Sequence, residues 1–302
     1  MKFNVDSLEF REDESVDFEE QFDLGVGPQG VELSDIVNGT TAFLPQDVGT
    51  DLVGGKFAQT VDEGKALADD GTVYNTIQRA VDNASSWVKV GPGQFHERVE
   101  IGDVGKTVVG CGDRTEIIGY SDSVEPVKVT ESDITIADLS IRSIGDRRAL
   151  NAPRSSASGI ILQNITVKES KQNGLIGAAS MKIINCTVRN TDSTGINANG
   201  TDSVVVGCSV TSTGGNGITA GDPNAVVVGN RVSDVGNRAI YLNRADSLAG
   251  GNRIDGCNVG VYVNDSDCIV FKNRISNAND AIDDRGTGTV LSANLVTPED
   301  EE

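Results

Sequence analysis

The stretch AVVVGNRVSDVGNRAIYLN, residues 225–243, is nearly repeated by the sequence before it and after it. Residues 203–220 are SVVVGCSVTSTGGNGITA, and residues 268–283 are CIVFKNRISNANDAID. Each copy contains three short segments rich in β-branched residues, separated by Gly, Asn and Asp, which favour turns. A unit that recurs in this way along one chain is typical of a solenoid.

Two apolar positions recur at intervals of 21 or 22 residues. The first column is Val167, Val188, Val210, Val232, Ile254, Ile275 and Val296, and the second is Leu175, Ile196, Ile218, Ile240, Val261 and Ile282. A unit of this length with three short strands corresponds to one coil of a parallel β-helix, in which each strand pairs with its equivalent in the next coil. The sequence therefore predicts an all-β parallel solenoid of about nine coils of 21–23 residues.

A polar column precedes the first apolar column by two residues. Its last four members are Asn230, Asn252, Asn273 and Asn294. Because equivalent residues stack in a solenoid, each side-chain amide can hydrogen-bond the next, and we predict a structural ladder at a corner of the coil. Cys186 and Cys208 occupy the same column, where parallel stacking points both side chains the same way, so we expect two buried thiols rather than a disulfide.

The N-terminal end of the solenoid is predicted to carry an amphipathic helix. Its apolar face consists of Tyr74, Ile77, Ala80, Val81 and Ala84. The segments WVKV and ERVEI that follow are predicted to be strands. An exposed apolar end of a solenoid needs a cover, and a helix of this kind provides one.

The same region carries a family resemblance. TIQRAV at 76–81, followed by VKVGPGQFHERVEI at 88–101, resembles the opening of the right-handed parallel β-helix proteins of the pectin lyase-like superfamily. The resemblance extends over residues 74–296 and implies a right-handed helix. It does not imply one activity, because that superfamily includes lyases, hydrolases, esterases, epimerases, adhesins and viral tailspikes.

The repeats divide the chain into four predicted parts. Residues 1–70 do not repeat and are expected to be an acidic attachment or oligomerisation segment, with a strand-and-loop wrap over the first coils as the alternative. Residues 71–101 form the helix-and-strand cap, residues 102–297 the β-helix, and residues 298–302 an acidic tail. Within the β-helix, residues 145–158 lengthen one interval to 26 residues and are predicted to protrude as a loop.

The chain is strongly acidic. It has 45 Asp and Glu against 25 Lys and Arg, a net charge of −20 and a sequence pI near 4.4. Such a field repels nucleic acid and anionic membranes, and it is typical of proteins from concentrated salt, where the repulsion is screened. We therefore predict a halophilic protein that binds no nucleic acid, with an acidic mesophilic protein as the alternative to a halophilic one. The N-terminal residues contain no apolar segment typical of a signal peptide, and no long apolar run predicts membrane insertion.

A candidate glycan site lies on an outward column of the third strand. This column contains Asn197, Thr219, Tyr241, Tyr262 and Asp283, and the neighbouring turns add Arg238, Asn243, Arg244, Asn264, Asp265, Asp280, Asp284 and Arg285. Aromatic rings bind the apolar faces of sugars, and charged or amide groups bind their hydroxyls. The strongest candidates are Tyr241, Tyr262, Asp283, Asp284, Arg285, Asp265 and Arg244. We predict no metal site and no cofactor, with Ca²⁺ on the acidic strand face as the alternative. A solvated face in which Asp and Asn only form turns remains the competing interpretation.

No residue is predicted to be catalytic. His96 is the single histidine, so any mechanism that needs a histidine depends on it, and we expect it to be structural. The motifs Gly-His-Gly and Arg-Ile-Lys, which the resemblance to polygalacturonases would require, are missing, as is the Gly-x-x-Asp-Phe-Ile-Phe-Gly motif of pectin methylesterases. The letters GVGPQG at 25–30 match a dinucleotide-binding pattern, but no βαβ unit follows them.

Three functions fit these observations. We favour a virion surface protein, namely a spike, turret or tail fibre of a virus of a halophilic host, that binds a host-surface glycan or receptor. The resemblance to tailspikes implies a homo-oligomer, for example a homotrimer, and residues 1–70 would contact other virion proteins. The alternatives are a secreted, hence extracellular, carbohydrate-active enzyme (a polysaccharide lyase or glycoside hydrolase) and a structural cell-surface β-helix.

Overall fold

The computed structural model describes residues 60–153 and 157–297. Along the chain the elements are β1 (Ala66–Ala68), β2 (Val73–Tyr74), α1 (Ile77–Asn83), β3 (Trp87–Val90), β4 (Gly93–Phe95), β5 (Val99–Ile101), β6 (Thr107–Val109), β7 (Thr115–Gly119), β8 (Val127–Val129), β9 (Thr135–Ser143), β10 (Leu150–Asn151), β11 (Ile161–Glu169), β12 (Leu175–Ile176), β13 (Lys182–Ile184), β14 (Thr187–Thr191), β15 (Ile196–Ala198), β16 (Val204–Val206), β17 (Ser209–Thr213), β18 (Ile218–Ala220), β19 (Val226–Val228), β20 (Arg231–Val235), β21 (Arg238–Leu242), β22 (Leu248–Gly250), β23 (Arg253–Val263), β24 (Ile269–Phe271), β25 (Arg274–Asp284), β26 (Val290–Ser292) and β27 (Leu295–Thr297).

The strands stack in three parallel sheets. Sheet A contains β3, β6, β13, β16, β19, β22, β24, β26 and the first parts of β9 and β11. Sheet B contains β4, β7, β14, β17, β20, β27, the last parts of β9 and β11 and the first parts of β23 and β25. Sheet C contains β5, β8, β10, β12, β15, β18, β21 and the last parts of β23 and β25. These sheets complete about nine turns of a β-solenoid, as predicted.

Both predicted apolar columns are confirmed as contacts inside the solenoid. Val188 pairs with Val210 and Val210 with Val232 in sheet B, and Ile218 pairs with Ile240 in sheet C. These side chains are fully buried. In the last coil the register continues but Val296 is 49% exposed, because no described strand pairs with β27 on its C-terminal side.

Left-handed backbone residues form two of the corners. At the corner before sheet A, Asp202, Asn224, Asp246 and Asp267 have φ values of 59°, 60°, 57° and 57°. Asn and Asp tolerate this conformation better than most side chains do, which explains why they recur there. At the corner between sheets A and B, Gly207, Gly229 and Gly251 have φ values of 64°, 63° and 60°.

The four asparagines form a continuous ladder beside the second corner. The Asn230 amide nitrogen donates to Asn252 Oδ1 at 3.0 Å, Asn252 to Asn273 at 2.9 Å, and Asn273 to Asn294 at 3.0 Å. The same Oδ1 atoms accept the backbone N–H of the preceding asparagine. The ladder therefore satisfies buried polar groups that face the interior of the coil.

The predicted helix is present at the N-terminal end of the described residues. Ile77, Ala80 and Val81 are buried, and the carboxylate of Glu97 accepts the N–H groups of Ile77 and Gln78 at 2.8 and 3.0 Å. The helix begins after its cap residue Thr76. The prediction that Tyr74 belongs to the helical face is therefore wrong: Tyr74 lies in β2, which pairs antiparallel with β1.

The prediction of a protruding loop over 145–158 is also wrong in its centre. Leu150 and Asn151 form β10, which pairs with β8 and β12 in sheet C. Ala149, Leu150 and Ala152 are fully buried. The coil therefore keeps its third strand.

Other predictions fall partly or wholly outside the described residues. Residues 1–59 and 298–302 are not described, so the roles of the predicted N-terminal segment 1–70 and of the tail remain predictions. The end of that segment is described, and its strand β1 pairs antiparallel with β3. All five cysteines are free, and Cys186 and Cys208 are buried. Of the described helices, none has the length and apolar character needed to span a membrane.

Candidate functional site

The predicted outward column forms one continuous stripe on sheet C. Asn197 pairs with Thr219, Thr219 with Tyr241, Tyr241 with Tyr262, and Tyr262 with Asp283. All five side chains are half-buried, and the strand neighbours of the first four are buried in the core, whereas Asp283 lies between half-buried Ile282 and exposed Asp284. The alternation of β-strands therefore places two tyrosines and a carboxylate in adjacent coils on the outer surface.

The two tyrosines contact each other and share a cation. Their ring centroids are 5.3 Å apart in an edge-to-face arrangement. The guanidinium carbon of Arg238 lies 4.0 Å from the ring centroid of Tyr262 and 4.7 Å from that of Tyr241. Cation–π attraction orients this arginine over the pair. Among the described residues, the Arg238 side chain makes no ion pair or hydrogen bond, so its N–H groups are free to bind a ligand.

Arg238 is brought to the site by an irregularity in β21. The sequence places it in a turn, whereas the structure places it at the start of the strand. Two consecutive buried residues, Ala239 and Ile240, separate it from Tyr241. Strict alternation would direct residues three apart to opposite faces, so the side chain could be assigned to this face only from the structure.

Asp283 and Arg285 extend the site into the next coil. Arg285 Nε donates to Asp283 Oδ1 at 2.6 Å, and its terminal nitrogen donates to Oδ2 at 3.0 Å. This bidentate pair lowers the pKa of Asp283 and raises that of Arg285, with the mutual hydrogen bond as the main cause in each case. The Arg285 guanidinium carbon is also 6.0 Å from the Tyr262 ring centroid.

The other predicted residues serve turns or point away. Asp284 Oδ1 accepts from Gly286 N at 2.9 Å and Thr289 Oγ1 at 3.1 Å, and Asp265 Oδ1 accepts from Ser266 N at 2.8 Å. Arg244 is exposed, and its carbonyl accepts from the Cys268 thiol. The structure therefore unites Tyr241, Tyr262, Asp283 and Arg285, and it gives the two carboxylates of Asp265 and Asp284 a local role.

The Ca²⁺ alternative concerns the carboxylates of this face. Within residues 60–153 and 157–297, no group of three or more His, Cys, Asp or Glu side chains is arranged to hold a metal ion. Asp283, the carboxylate closest to the tyrosines in register, already binds Arg285. His96 is exposed and stacks on Tyr120 with a centroid distance of 5.4 Å. Neither ring belongs to the tyrosine stripe.

A second charged cluster, centred on Glu116 of sheet B, was not predicted. Arg142 and Lys168 approach its Oε1 at 2.9 and 3.3 Å, and Gln94 donates to its Oε2 at 3.0 Å. Burial alone would raise the pKa of Glu116, but the Gln94 hydrogen bond and the two cations lower it below its usual value. The ionised carboxylate therefore links four successive coils. Its partners lie in coils of unequal length. A fixed repeat period therefore does not place them in one column of the sequence alignment.

Comparison with known proteins identifies the fold. Residues 173–297 match the family model "Right handed beta helix region". The alginate lyase from Paenibacillus sp. str. FPU-7 aligns with a TM-score of 0.55 and 12% identity over 73% of this chain and 96% of that chain. The Agl-KA catalytic domain aligns with a TM-score of 0.56 and 15% identity over 79% of this chain and 54% of that chain.

The remaining comparisons show no activity for this chain. A domain of tailspike protein 2 of bacteriophage CBA120 aligns with a TM-score of 0.38 and 12% identity, over 76% of this chain and 44% of that chain, which is too low to support an argument. No curated protein matches the chain in sequence. At these identities the structural alignments show the fold alone. The chain therefore has a right-handed parallel β-helix fold, which is the fold that its sequence resemblance implied.

Proposed function

We propose that this protein binds a glycan on the outer face of sheet C. The observation that carries the proposal is the stack of Tyr241 and Tyr262 in adjacent coils, with Arg238 over both rings and the Asp283–Arg285 pair beside them. Aromatic carbon supplies apolar contact for sugar rings, and the guanidinium and carboxylate groups supply directional hydrogen bonds. Sheet C is built from stacked strands, which hold these groups on a rigid support.

The proposed ligand runs along the solenoid axis. Adjacent coils are about 4.8 Å apart, so successive sugar units can meet the two rings and then the ion pair. Arg238 covers part of both rings, so a sugar would pack against the ring surface that this guanidinium leaves open and would hydrogen-bond its N–H groups. The hydroxyl of Tyr241 donates to the Asn243 side chain, which orders the edge of the site.

The biological setting that we propose is the surface of a virus particle whose host is halophilic. The net charge of −20 supports the saline part of this proposal, because a compact chain with such a charge gains stability when salt screens its repulsion. In this setting the solenoid is a spike, turret or tail fibre, assembled as a homo-oligomer and held to other virion proteins by residues 1–70. Sheet C presents its tyrosines to the host-surface glycan.

A glycan array tests the binding site. The wild-type protein should bind at least one glycan class, and the double variant Tyr241→Ala/Tyr262→Ala should lose affinity by roughly tenfold or more, because aromatic anchors carry much of such binding energy. Tyr120→Ala is the matched control, since Tyr120 is a 57% exposed tyrosine outside the stripe. Circular dichroism checks that all variants fold. Unchanged binding by a folded double variant would reject the site.

Purified particles test the setting. Mass spectrometry of density-purified virus from halophilic cultures that produce this protein should find it in stoichiometric amounts in the particles. Its presence only in the cleared medium, together with shortening of a bound polysaccharide, would instead support the secreted enzyme. Its presence only in the cell fraction would support a structural cell-surface β-helix.

A further inference from the structure

Three arginines form a second stack, on a different face from the tyrosine stripe. Arg231 pairs with Arg253, and Arg253 pairs with Arg274, in consecutive strands of sheet B. All three are exposed. Their strand neighbours Val232, Ile254 and Ile275 are fully buried, so the arginine side chains point outward. We call this set the arginine stack.

No carboxylate neutralises the arginine stack within the described residues. None of its three side chains makes an ion pair or a side-chain hydrogen bond there. Like charges placed directly opposite in neighbouring strands destabilise a sheet, although the chain has 45 acidic residues that could pair with them. An unpaired stack of three cations, in so acidic a protein, indicates that its counter-charge comes from another molecule.

Two acidic residues follow members of the stack on the same strands. Asp255, two residues after Arg253, accepts from Ser276 Oγ at 2.9 Å and from Asn277 Nδ2 at 2.7 Å. Asp234, three residues after Arg231, lies 3.5 Å from the Thr211 hydroxyl. Both carboxylates weaken the positive potential, but neither comes within ion-pair distance of the stack.

The surroundings of the stack favour a carbohydrate over a nucleic acid. Ser209 precedes Arg231 in the same column, and the next outward column consists of Thr211, Ser233, Asp255 and Ser276, which are three hydroxyl groups and one carboxylate. Hydroxyl groups of this kind can hydrogen-bond sugar hydroxyls. The strand segments 231–235, 253–257 and 274–278 contain no aromatic residue, whereas single-stranded nucleic acids are held largely by bases stacked on aromatic rings.

We propose that the arginine stack binds a linear acidic polysaccharide along the solenoid axis, with one sulfate or carboxylate group per coil. A guanidinium group is a planar donor that binds these anions with two parallel hydrogen bonds. The site is separate from the tyrosine stripe and goes beyond the glycan binding proposed above, because it uses another sheet and selects for charge rather than for sugar rings.

Binding to dextran sulfate, polygalacturonate and neutral dextran, measured over a series of NaCl concentrations at each of which circular dichroism shows a folded protein, tests this proposal. The wild-type protein should bind at least one of the two charged polymers and not neutral dextran, and the anion that binds more tightly identifies the preferred group. The variant Arg231→Gln/Arg253→Gln/Arg274→Gln should lose on the order of tenfold or more of this affinity, since each charge-assisted contact contributes strongly. The salt dependence of binding should also become shallower, because fewer counterions are released.

A matched triple variant separates the stack from net charge. Arg79→Gln/Arg98→Gln/Arg114→Gln removes the same three charges from exposed residues near the N-terminal end of the solenoid and should bind as the wild type does. Equal losses in the two triple variants, tighter binding to single-stranded DNA than to either acidic polysaccharide, or no binding by the wild type would overturn the proposal. Tyr241→Ala/Tyr262→Ala should leave polyanion binding intact, so failure of one site is distinguishable from failure of the other.

Discussion

At the scale of single residues, Asn252 holds two coil corners together. Its Oδ1 accepts from the backbone and side-chain nitrogens of Asn230 at 2.9 and 3.0 Å, and its Nδ2 donates to Val227 O and to Asn273 Oδ1, both at 2.9 Å. The residue is 1% exposed. Water therefore cannot replace these bonds when the amide is removed.

We predict that Asn252→Ala lowers the free energy of unfolding by about 2–4 kcal/mol, because it leaves buried polar groups without partners. Urea unfolding followed by circular dichroism measures this change. Asn264→Ala is the control, since Asn264 is exposed and its hydrogen bonds are 3.4 and 3.5 Å long. If the ladder did not stabilise the fold, the two variants would change the free energy of unfolding by the same amount.

Burial determines the reactivity of the Cys257 thiol. Burial, aided by the negative charge of Asp255, raises the pKa of the Cys257 thiol from 9.0 to about 11. Since the thiolate is the reactive form, alkylation of Cys257 at pH 8 should be about a hundredfold slower than for an ordinary thiol. Its rate should then keep rising with pH until about pH 11.

Peptide-resolved mass spectrometry after iodoacetamide treatment follows this rate, and the same peptide in urea provides the reference. The contribution of the Cys257 thiol to stability should also depend on pH. A thiol whose pKa is raised by folding stabilises the native state below pH 9.0, and this contribution is lost as the pH rises towards about 11. A plateau of the native rate near pH 9 would show that the thiol is not desolvated.

At the scale of elements, the repeated corner between sheets A and B sets the shape of every regular coil. It requires a left-handed residue, and the chain supplies Gly229 in one coil and Ala293 in the last described one, with φ values of 63° and 51°. An added Cβ at Gly229 would meet no atom within 4 Å. Substitutions here therefore report on the backbone alone.

We predict opposite effects for the two exchanges at this corner. Gly229→Ala should destabilise the protein by about 1 kcal/mol, and Ala293→Gly should stabilise it by up to about 1 kcal/mol, because only glycine adopts this conformation without strain. Differential scanning calorimetry gives both values. Changes of the same sign in the two variants would contradict the assigned backbone geometry.

The elements also show what a sequence can and cannot predict. The apolar columns and the outward stripe from Asn197 to Asp283 followed from the period, because stacked coils convert sequence spacing directly into contact. The strand β10 was missed because it has only two residues, Leu150 and Asn151, in a coil with long turns. The position of Arg238 depended on an irregular strand, and the Glu116 cluster on coils of unequal length. Neither has a periodic signal.

At the scale of the whole molecule, the net charge of −20 opposes compaction. The screening length is about 10 Å in 0.1 M salt and about 3 Å in 1 M salt, so molar salt removes most of this repulsion. We predict that the urea concentration at the midpoint of unfolding rises when NaCl is raised from about 0.1 M to about 2 M, because the screening length shortens over this interval. Sorbitol at equal osmolality is the control. A midpoint that does not move, or that falls, would argue against a halophilic protein.

In the whole molecule, the two proposed binding surfaces lie on different sheets. Sheet B carries the arginine stack and sheet C the tyrosine stripe, on one solenoid whose core runs continuously between them. One protein can therefore contact a charged polymer and a sugar-ring surface at once. Their distinct sheets allow each to be removed without disturbing the other.

The most direct test of the account is hydroxyl-radical footprinting of the wild-type protein with and without the best ligand from the glycan array. We expect protection to concentrate on Tyr241 and Tyr262, with Tyr120 and the arginine stack unchanged for a neutral ligand. Protection elsewhere, with both tyrosines as reactive as in the free protein, would contradict the claim that the outer face of sheet C is the glycan-binding surface.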